Sequence, residues 1–473
     1  MDRAALTSTV RTLWDEDIVP SLSEFVAIPA VSMAFDPNWA ANGHLNAAVD
    51  HLKSWIAGRG LPDTDIDIVQ LPDRSPLLLV DVPASPAADP AAGTVLLYGH
   101  LDKQPPVGGW SDGLDAWTPV IRDGRLYGRG AADDGYAGYA AVAAIEALRT
   151  HGAAHARCVV LLETGEESGS PDLPAYLRHL SARLGTVSLV ICLDSGTADY
   201  DRLWLTTSLR GLVQATVTVQ VLEYGQHSGM TSGVVPSSFR VLRTLLDRLE
   251  DSDTGQVRLA EMHVDVPAHR MAEIRAAVAA APGAVSAGLP LVDGVSLASD
   301  DEVELVLNST WRPTLSITGA DGLPAPEDAG NVLRPYTTLC LSFRLPPTAD
   351  SAACLAALRE AVTENVPYGA RVELSRLESA DGWNAPELAP WLRTALDDVS
   401  TNVFGAPWRT LGVGGSIPFM GLLHEAYPRA QFVVTGALGP GSNAHVPDES
   451  LELGYAAKVT ESIALLLDAH ARR

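Results

Sequence analysis

A histidine and an aspartate two residues apart, His100 and Asp102, close an apolar run, Thr94-Val95-Leu96-Leu97-Tyr98-Gly99. The run reads as a buried strand, and its carboxyl end is where open α/β sheets collect ligands. One His-X-Asp means little by itself, but the pattern recurs. Residues 156–162 (ARCVVLL) read as a second strand and lead to Glu166-Glu167. Residues 187–193 (VSLVICL) read as a third and end at Asp194; residues 431–435 (QFVVT) read as a fourth, with His445 in the loop beyond. Between the first two lies Gly128-Arg129-Gly130-Ala131-Ala132-Asp133-Asp134, which opens an Ala-rich helix. Two histidines with several carboxylates and no cysteine suit zinc, manganese or cobalt. His100, Asp133, Glu167, Asp194 and His445 are five candidate ligands. Five fit two divalent ions that share one carboxylate, a pair able to activate water and polarise a carbonyl. Of the adjacent Glu166 and Glu167, one can ligate while the other acts as general base. Asp102 is placed to orient the His100 imidazole from behind.

These groups need a frame. The expected class is α/β: a catalytic domain with a mostly parallel central sheet flanked by helices. Residues 4–28 read as a helix pair broken at Pro20, residues 47–58 and 134–149 as helices, and 172–184 as a helix with Ser170 as N-cap and Pro171 in the first turn. Residues 66–71 and 76–82 read as further strands, and 104–119 as a Gly/Pro/Trp-rich loop beside the site. Near Ser208 the pattern shifts. Residues 212–222 alternate polar and apolar, as in a sheet with one wet face. With a helix over 237–250, a loop-rich 280–301, a strand over 338–345, a helix over 352–365 and a strand over 371–377, this forms a βαβ-like set. The expected organisation is residues 1–208 and 383–473 as one catalytic domain, with an α+β domain over 209–382 inserted. Within the last part, 390–404 read as a helix and 412–416 as a glycine turn.

Composition narrows the class. Apolar residues make up 47% of the 473, enough for a large core, and the net charge of −25 argues against nucleic acid or an anionic membrane as partner. No window is long and apolar enough to span a membrane, and the charged N-terminal helix has no signal core. Four cysteines without a CxxC pair suit free thiols in a reducing compartment. The expectation is a cytoplasmic protein.

At this point the chain resembles a known family: the dinuclear-zinc metallopeptidases that include aminoacylase, succinyl-diaminopimelate desuccinylase and the carnosinase-like dipeptidases. The resemblance rests on GHLD at 99–102, GRGAADD at 128–134, TGEESGS at 164–170, LDSG at 193–196 and SNAHVPDE at 442–449, in family order. It implies His100 and Asp194 on one metal, Glu167 and His445 on the other, and Asp133 bridging. It implies Glu166 as general base, Asp102 as orienter and a cis Asp133–Asp134 peptide. It also implies that the inserted domain is a lid and dimerisation domain. There His227 resembles a lid histidine that stabilises the oxyanion, often from the partner subunit of a homodimer. Asn331, Arg344 and Ser416 (in the Gly414–Pro418 loop) resemble residues that hold the substrate carboxylate. The long insert and the aspartate at 194 are similar to the dipeptidase branch. Lys103, Gly135 and Tyr136 depart from the family pattern, as does the lack of a tyrosine two residues after Asp194; Tyr200 is off register.

The expected activity is metal-dependent hydrolysis of a small amide, a dipeptide or dipeptide-like substrate with a free carboxylate, using two zinc ions, with manganese or cobalt as alternatives. The second reading is an N-acyl-amino-acid amidohydrolase, and a remote third is an inactive metal-binding scaffold.

Overall fold

The computed structural model describes every residue except Met1, Ser416 and Ile417. The chain divides into two compact units. Residues 1–207, 385–411 and 422–473 form the first, and 208–384 with 412–421 form the second, inserted unit.

The first unit is built on a six-stranded sheet. Its order is Asp65–Val69, Leu77–Val82, Arg157–Glu163, Thr94–His100, Val187–Cys192, Gln431–Val434. The last four run parallel to one another, and the first two are antiparallel additions. Thr94–His100 is buried at every residue. A strand apolar on both faces must lie between two helical layers, so it takes a central place. The register sets His100 opposite Glu163 and Tyr98 opposite Cys192. Three neighbouring strands therefore end at one edge, and the loops that leave them carry Asp102, Glu166–Glu167 and Asp194.

On one face lies the Ala-rich helix Tyr136–Thr150, buried along most of its length. Its small side chains let the 19-residue helix Leu453–Ala471 pack closely against it. The five residues before it, Ala131–Gly135, contain the cis Asp133–Asp134 peptide.

Two local expectations are corrected. The chain does not break at Pro20: helix Arg3–Thr12 passes through a wide π-type segment, Leu13–Ile18, into helix Val19–Val26. Pro20 sits in the first turn of that last helix, where its missing N–H costs little. Ser170 is not an N-cap. Helix Leu173–Leu184 begins later, behind Asp172. The Ser170 hydroxyl instead donates to the buried Glu163 carboxylate over 2.8 Å.

The inserted unit carries a four-stranded antiparallel sheet, ordered Thr314–Asp321, Tyr336–Leu345, Gly211–Gln220, Arg371–Ala380. Gly211–Gln220 alternates buried and half-buried positions throughout. Val213, Val217 and Val219 face a core with Leu242 and Leu245 of helix Ser238–Leu246 and Cys354 and Leu358 of helix Ser351–Thr363. The crossover from Tyr336–Leu345 through that second helix to Arg371–Ala380 straddles Gly211–Gln220, a split βαβ unit. Edge strand Thr314–Asp321 has no fully buried position, so it left no alternating signal. Helices Ala268–Ala280 and Glu302–Thr310 meet through Ile274, Leu307 and Trp311, a satellite cluster too small to mark the sequence.

Residues 412–421 group with this unit and not with the 383–473 stretch. A Cβ at Gly412 would come within 3.0 Å of Thr310, and one at Gly414 within 2.9 Å of the Ser309 carbonyl. Among the described residues no helix is long and apolar enough to cross a membrane.

Candidate metal centre

Five side chains from five separate segments of the first unit converge into two groups that share Asp133. One is His100, Asp133 and Asp194; the other is Asp133, Glu167 and His445. Within each group the ligand atoms lie within 4.8 Å of one another. The two oxygens of Asp133 divide between them. Oδ1 lies 3.4 Å from His100 Nε2, while Oδ2 lies 3.0 Å from His445 Nε2. Asp194 Oδ2 is 3.8 Å from His100 Nε2, and Glu167 Oε2 is 3.3 Å from His445 Nε2.

The donor set fits divalent cations. His100 Nε2 and Glu167 Oε1 are buried with no hydrogen-bond partner among the described residues, an arrangement expected where a cation completes the shell. The electrostatics agree. Burial works against a charged His100, but Asp102 and Asp133 outweigh it and hold its pKa well above the usual value. The Asp133 hydrogen bond raises His445 to about 9, against burial. Burial, against the pull of His100, pushes Asp194 up to about 6; burial and the Asp133 charge push Glu167 up to about 8. Burial also raises Asp133, but His100 and His445 win and hold it below the carboxylate range. Burial and the Asp194 charge drive Glu166 well above that range. Apart from Asp133, the histidines and carboxylates here hold on to protons, which marks a cluster short of positive charge, and cation binding would displace those protons.

The supports are specific. His100 Nδ1 lies 3.0 Å from the Asp102 backbone carbonyl and 3.5 Å from Asp102 Oδ1. The same Oδ1 accepts the Glu166 backbone N–H at 3.2 Å and Oδ2 accepts that of Glu167 at 3.1 Å, fixing the turn that carries both glutamates. Tyr136 donates its hydroxyl to the Leu193 carbonyl over 2.6 Å, beside Asp194. Gly135 is required: a Cβ there would come within 2.4 Å of both the Gly130 carbonyl and the Phe25 ring. Tyr200 bonds to Pro440 and Ser442.

Sequence reasoning assigned no role to three further residues. Gln104 donates to Glu167 Oε2 over 2.6 Å. Glu449 and Arg129 form a fully buried pair at 2.7 Å beneath Asp133. Gln104 sits in a stretch read as a loop, and Glu449 closes the SNAHVPDE motif, where only His445 drew a role. The available signal was Arg129, a guanidinium set among small residues at the start of a buried Ala-rich segment, where it needs an anion as partner.

In the inserted unit, His227 is exposed, and its strand residue pairs with Val332. The Gly229 N–H donates to His227 Nδ1 over 3.1 Å, so the neutral ring carries its proton on Nε2 and presents a donor. Asn331 is adjacent: its carbonyl accepts the Ser228 N–H at 2.9 Å. Arg344 stands opposite Leu212 and Thr314 in the sheet and is half-buried. Arg210, also unforeseen, donates to Gly414 O and Thr314 Oγ1; burial and the Arg344 charge push it down to about 10. Ser416 lies outside the described residues.

Residues 96–469 match the family described as peptidase family M20/M25/M40, and the chain belongs to it. It is 27% identical over 408 residues to the cysteinylglycine-S-conjugate dipeptidase of Corynebacterium striatum, covering 84% of this chain and 85% of that one. It is 28% identical over 353 residues to the Beta-Ala-His dipeptidase of Mus musculus, covering 71% and 68%. The crystal structure of human carnosine dipeptidase 1 superposes with a TM-score of 0.75 at 21% identity, covering 100% of this chain and 99% of that one, a match in fold.

Proposed function

We propose that this protein hydrolyses the peptide bond of a dipeptide or dipeptide-like substrate with a free carboxylate, using two divalent metal ions, zinc in the first instance. The observation that carries this is the split of Asp133, one oxygen toward each histidine. His100, Asp133 and Asp194 would hold one ion and Asp133, Glu167 and His445 the other. Bound ions of this kind supply Lewis acidity and activate water for attack.

The protein's own groups do the rest. Glu166, whose backbone is fixed by Asp102, takes the proton of the attacking water and returns it to the leaving amine. His227 offers its Nε2–H to the oxyanion of the tetrahedral intermediate. Arg344, with Asn331 and Ser416, holds the substrate carboxylate; a guanidinium suits that task because its two-pronged fork matches a carboxylate. The inserted unit then serves as lid and as the contact of a homodimer. Tyr224, Met230, Val234 and Phe239, exposed around His227, support that use. The dipeptidase names of the relatives support the substrate class.

The test is a panel of free dipeptides beside their N-acetylated forms, run on protein of measured metal content with and without chelator. Metal-dependent cleavage of the free dipeptides is expected. Cleavage confined to the acylated compounds would replace this reading with that of an N-acyl-amino-acid amidohydrolase. Metal uptake with neither activity would leave only a metal-binding scaffold.

A further inference from the structure

We propose that Glu449, acting with Arg129, is a positioning residue that locks the Asp133 loop and the His445 segment into one frame, so that metal affinity at the Asp133–Glu167–His445 group depends on it. The inference rests on the metal-binding reading above.

Glu449 is 0% and Arg129 1% exposed. Glu449 Oε1 accepts three N–H groups of the 130–133 segment, from Gly130 at 3.0 Å and from Ala132 and Asp133 at 3.2 Å each. Three amides aimed at one oxygen form a small anion nest, and the last belongs to the shared carboxylate residue itself. Glu449 Oε2 takes the Arg129 Nη1–H at 2.7 Å. Arg129 then reaches the other way, donating from Nη2 to the carbonyl of Val446, next to His445, over 3.1 Å. The Glu449 carbonyl also accepts the Gly128 N–H at 3.0 Å. One ion pair therefore ties the backbone on both sides of the second metal group.

The His445 segment needs such a tie. Asn443, His445 and Asp448 all have left-handed backbone, at φ 54°, 64° and 63°. Asn, His and Asp enter that region more readily than other side chains, but three such residues within six positions still cost free energy that surrounding contacts offset. A second contact exists: Asp448 accepts the Ser111 N–H at 2.8 Å. It holds a different loop and does not touch Asp133, which makes it the natural control. A buried Arg–carboxylate pair also gains little over an apolar pair of equal volume. Here each partner's remaining hydrogen bonds land on ligand-bearing backbone, which gives the pair a role in placement.

The experiment is a Co²⁺ and Zn²⁺ titration of full-length apo-protein, followed by visible absorption and calorimetry, for wild type, Glu449→Gln, Arg129→Lys and Asp448→Asn. Circular dichroism and the melting temperature of each apo-form set the folded fraction. Wild type is expected to take up two equivalents. Folded Glu449→Gln, which turns an amide N–H₂ toward Arg129, is expected to lose about 10–100-fold in affinity for one of them. Arg129→Lys, which keeps the charge but not the fork, should shift the same way and replaces the first variant if that one fails to fold. Asp448→Asn should bind like wild type. Unchanged affinity in the folded variants overturns the inference alone, even if their melting temperatures fall. Equal loss in Asp448→Asn overturns it too, since any loosening of the segment would then suffice. Wild type binding no ion overturns both the inference and the functional reading. A single wild-type equivalent overturns the two-ion reading, and the inference then stands or falls on whether Glu449→Gln weakens that one.

Discussion

Gln104 donates its side-chain amide to Glu167 Oε2, the same oxygen that lies 3.3 Å from His445 Nε2. The contact leaves Oε1 buried without a partner among the described residues, and so fixes the rotation of the carboxylate. Such supports behind a ligand are typically worth 10–100-fold in metal affinity or activity. Gln104→Ala is therefore expected to lower kcat/KM by about 10–100-fold at saturating metal. Wild-type kinetics in that variant would show the hydrogen bond to be idle.

Glu166 belongs to neither candidate ligand group among the described residues, while its backbone is pinned by Asp102. Glu166→Gln should retain metal, measured by elemental analysis, and lose roughly 10³-fold in kcat, the usual scale of positioned acid–base catalysis. Turnover near wild type would remove Glu166 from the mechanism. Loss of metal would instead reassign it as a ligand.

His470 gives a pH dependence distant from the metal groups. Its Nε2 lies 2.9 Å from Ser188 Oγ, whose own hydrogen goes to the Ala92 carbonyl, so the ring donates there. Nδ1 is buried without a partner. Burial, then the Arg473 charge, pushes the imidazole down to about 3. The unfolded chain therefore binds a proton between about pH 6.5 and 3 that the folded protein refuses, and stability falls as pH drops through that window. At pH 4.5 the loss from this one residue is about 2–3 kcal/mol relative to pH 7. Denaturant unfolding of His470→Phe should show a correspondingly flatter acid limb. An identical slope in the variant would exclude His470 as its source.

Lys103 is a fully buried ammonium that caps a helix. Its Nζ donates to the carbonyls of Phe25, Val26 and Ile28 at 2.8, 3.2 and 2.8 Å, at the C-terminal, negative end of helix Val19–Val26. It also lies 4.2 Å from the centre of the Phe25 ring, the ring that leaves no room for a side chain at residue 135. The departures at 103 and 135 thus meet at one aromatic ring. Lys103→Met removes the donor and strands the carbonyls, at a cost of about 2–4 kcal/mol. Chemical denaturation reads this directly, and a change under 0.5 kcal/mol, on the order of a neutral surface substitution, would contradict the capping role.

The central sheet was legible because its strands are apolar on both faces and end abruptly in His, Asp or Glu. Residues 94–100 and 187–192 could hardly be read otherwise. The convergence of His100, Asp133, Glu167, Asp194 and His445 followed from parallel strands sharing one carboxyl edge. Thr314–Asp321 was hidden because neither of its faces is fully buried, and pairing alone leaves no periodic trace. Pro20 misled because it falls in the first turn of helix Val19–Val26, directly after a wide π-type segment, where its missing N–H costs little. Glu449 was hidden for another reason: a carboxylate in a loop reads as solvent-facing until the three amides it serves are seen in space.

The edge strand Gln431–Val434 and the His445 loop lie beyond the inserted unit in the chain, while the strand they complete, Val187–Cys192, lies before it. A ribosome must therefore make the whole insert before the sheet can close. Until then the nascent chain exposes an unpaired strand edge and holds His100, Asp133 and Asp194 without His445. The Asp133–Glu167–His445 group therefore cannot be complete until the last part of the chain has been made. This order of assembly leaves a window in which chaperones, or aggregation, compete for the open edge.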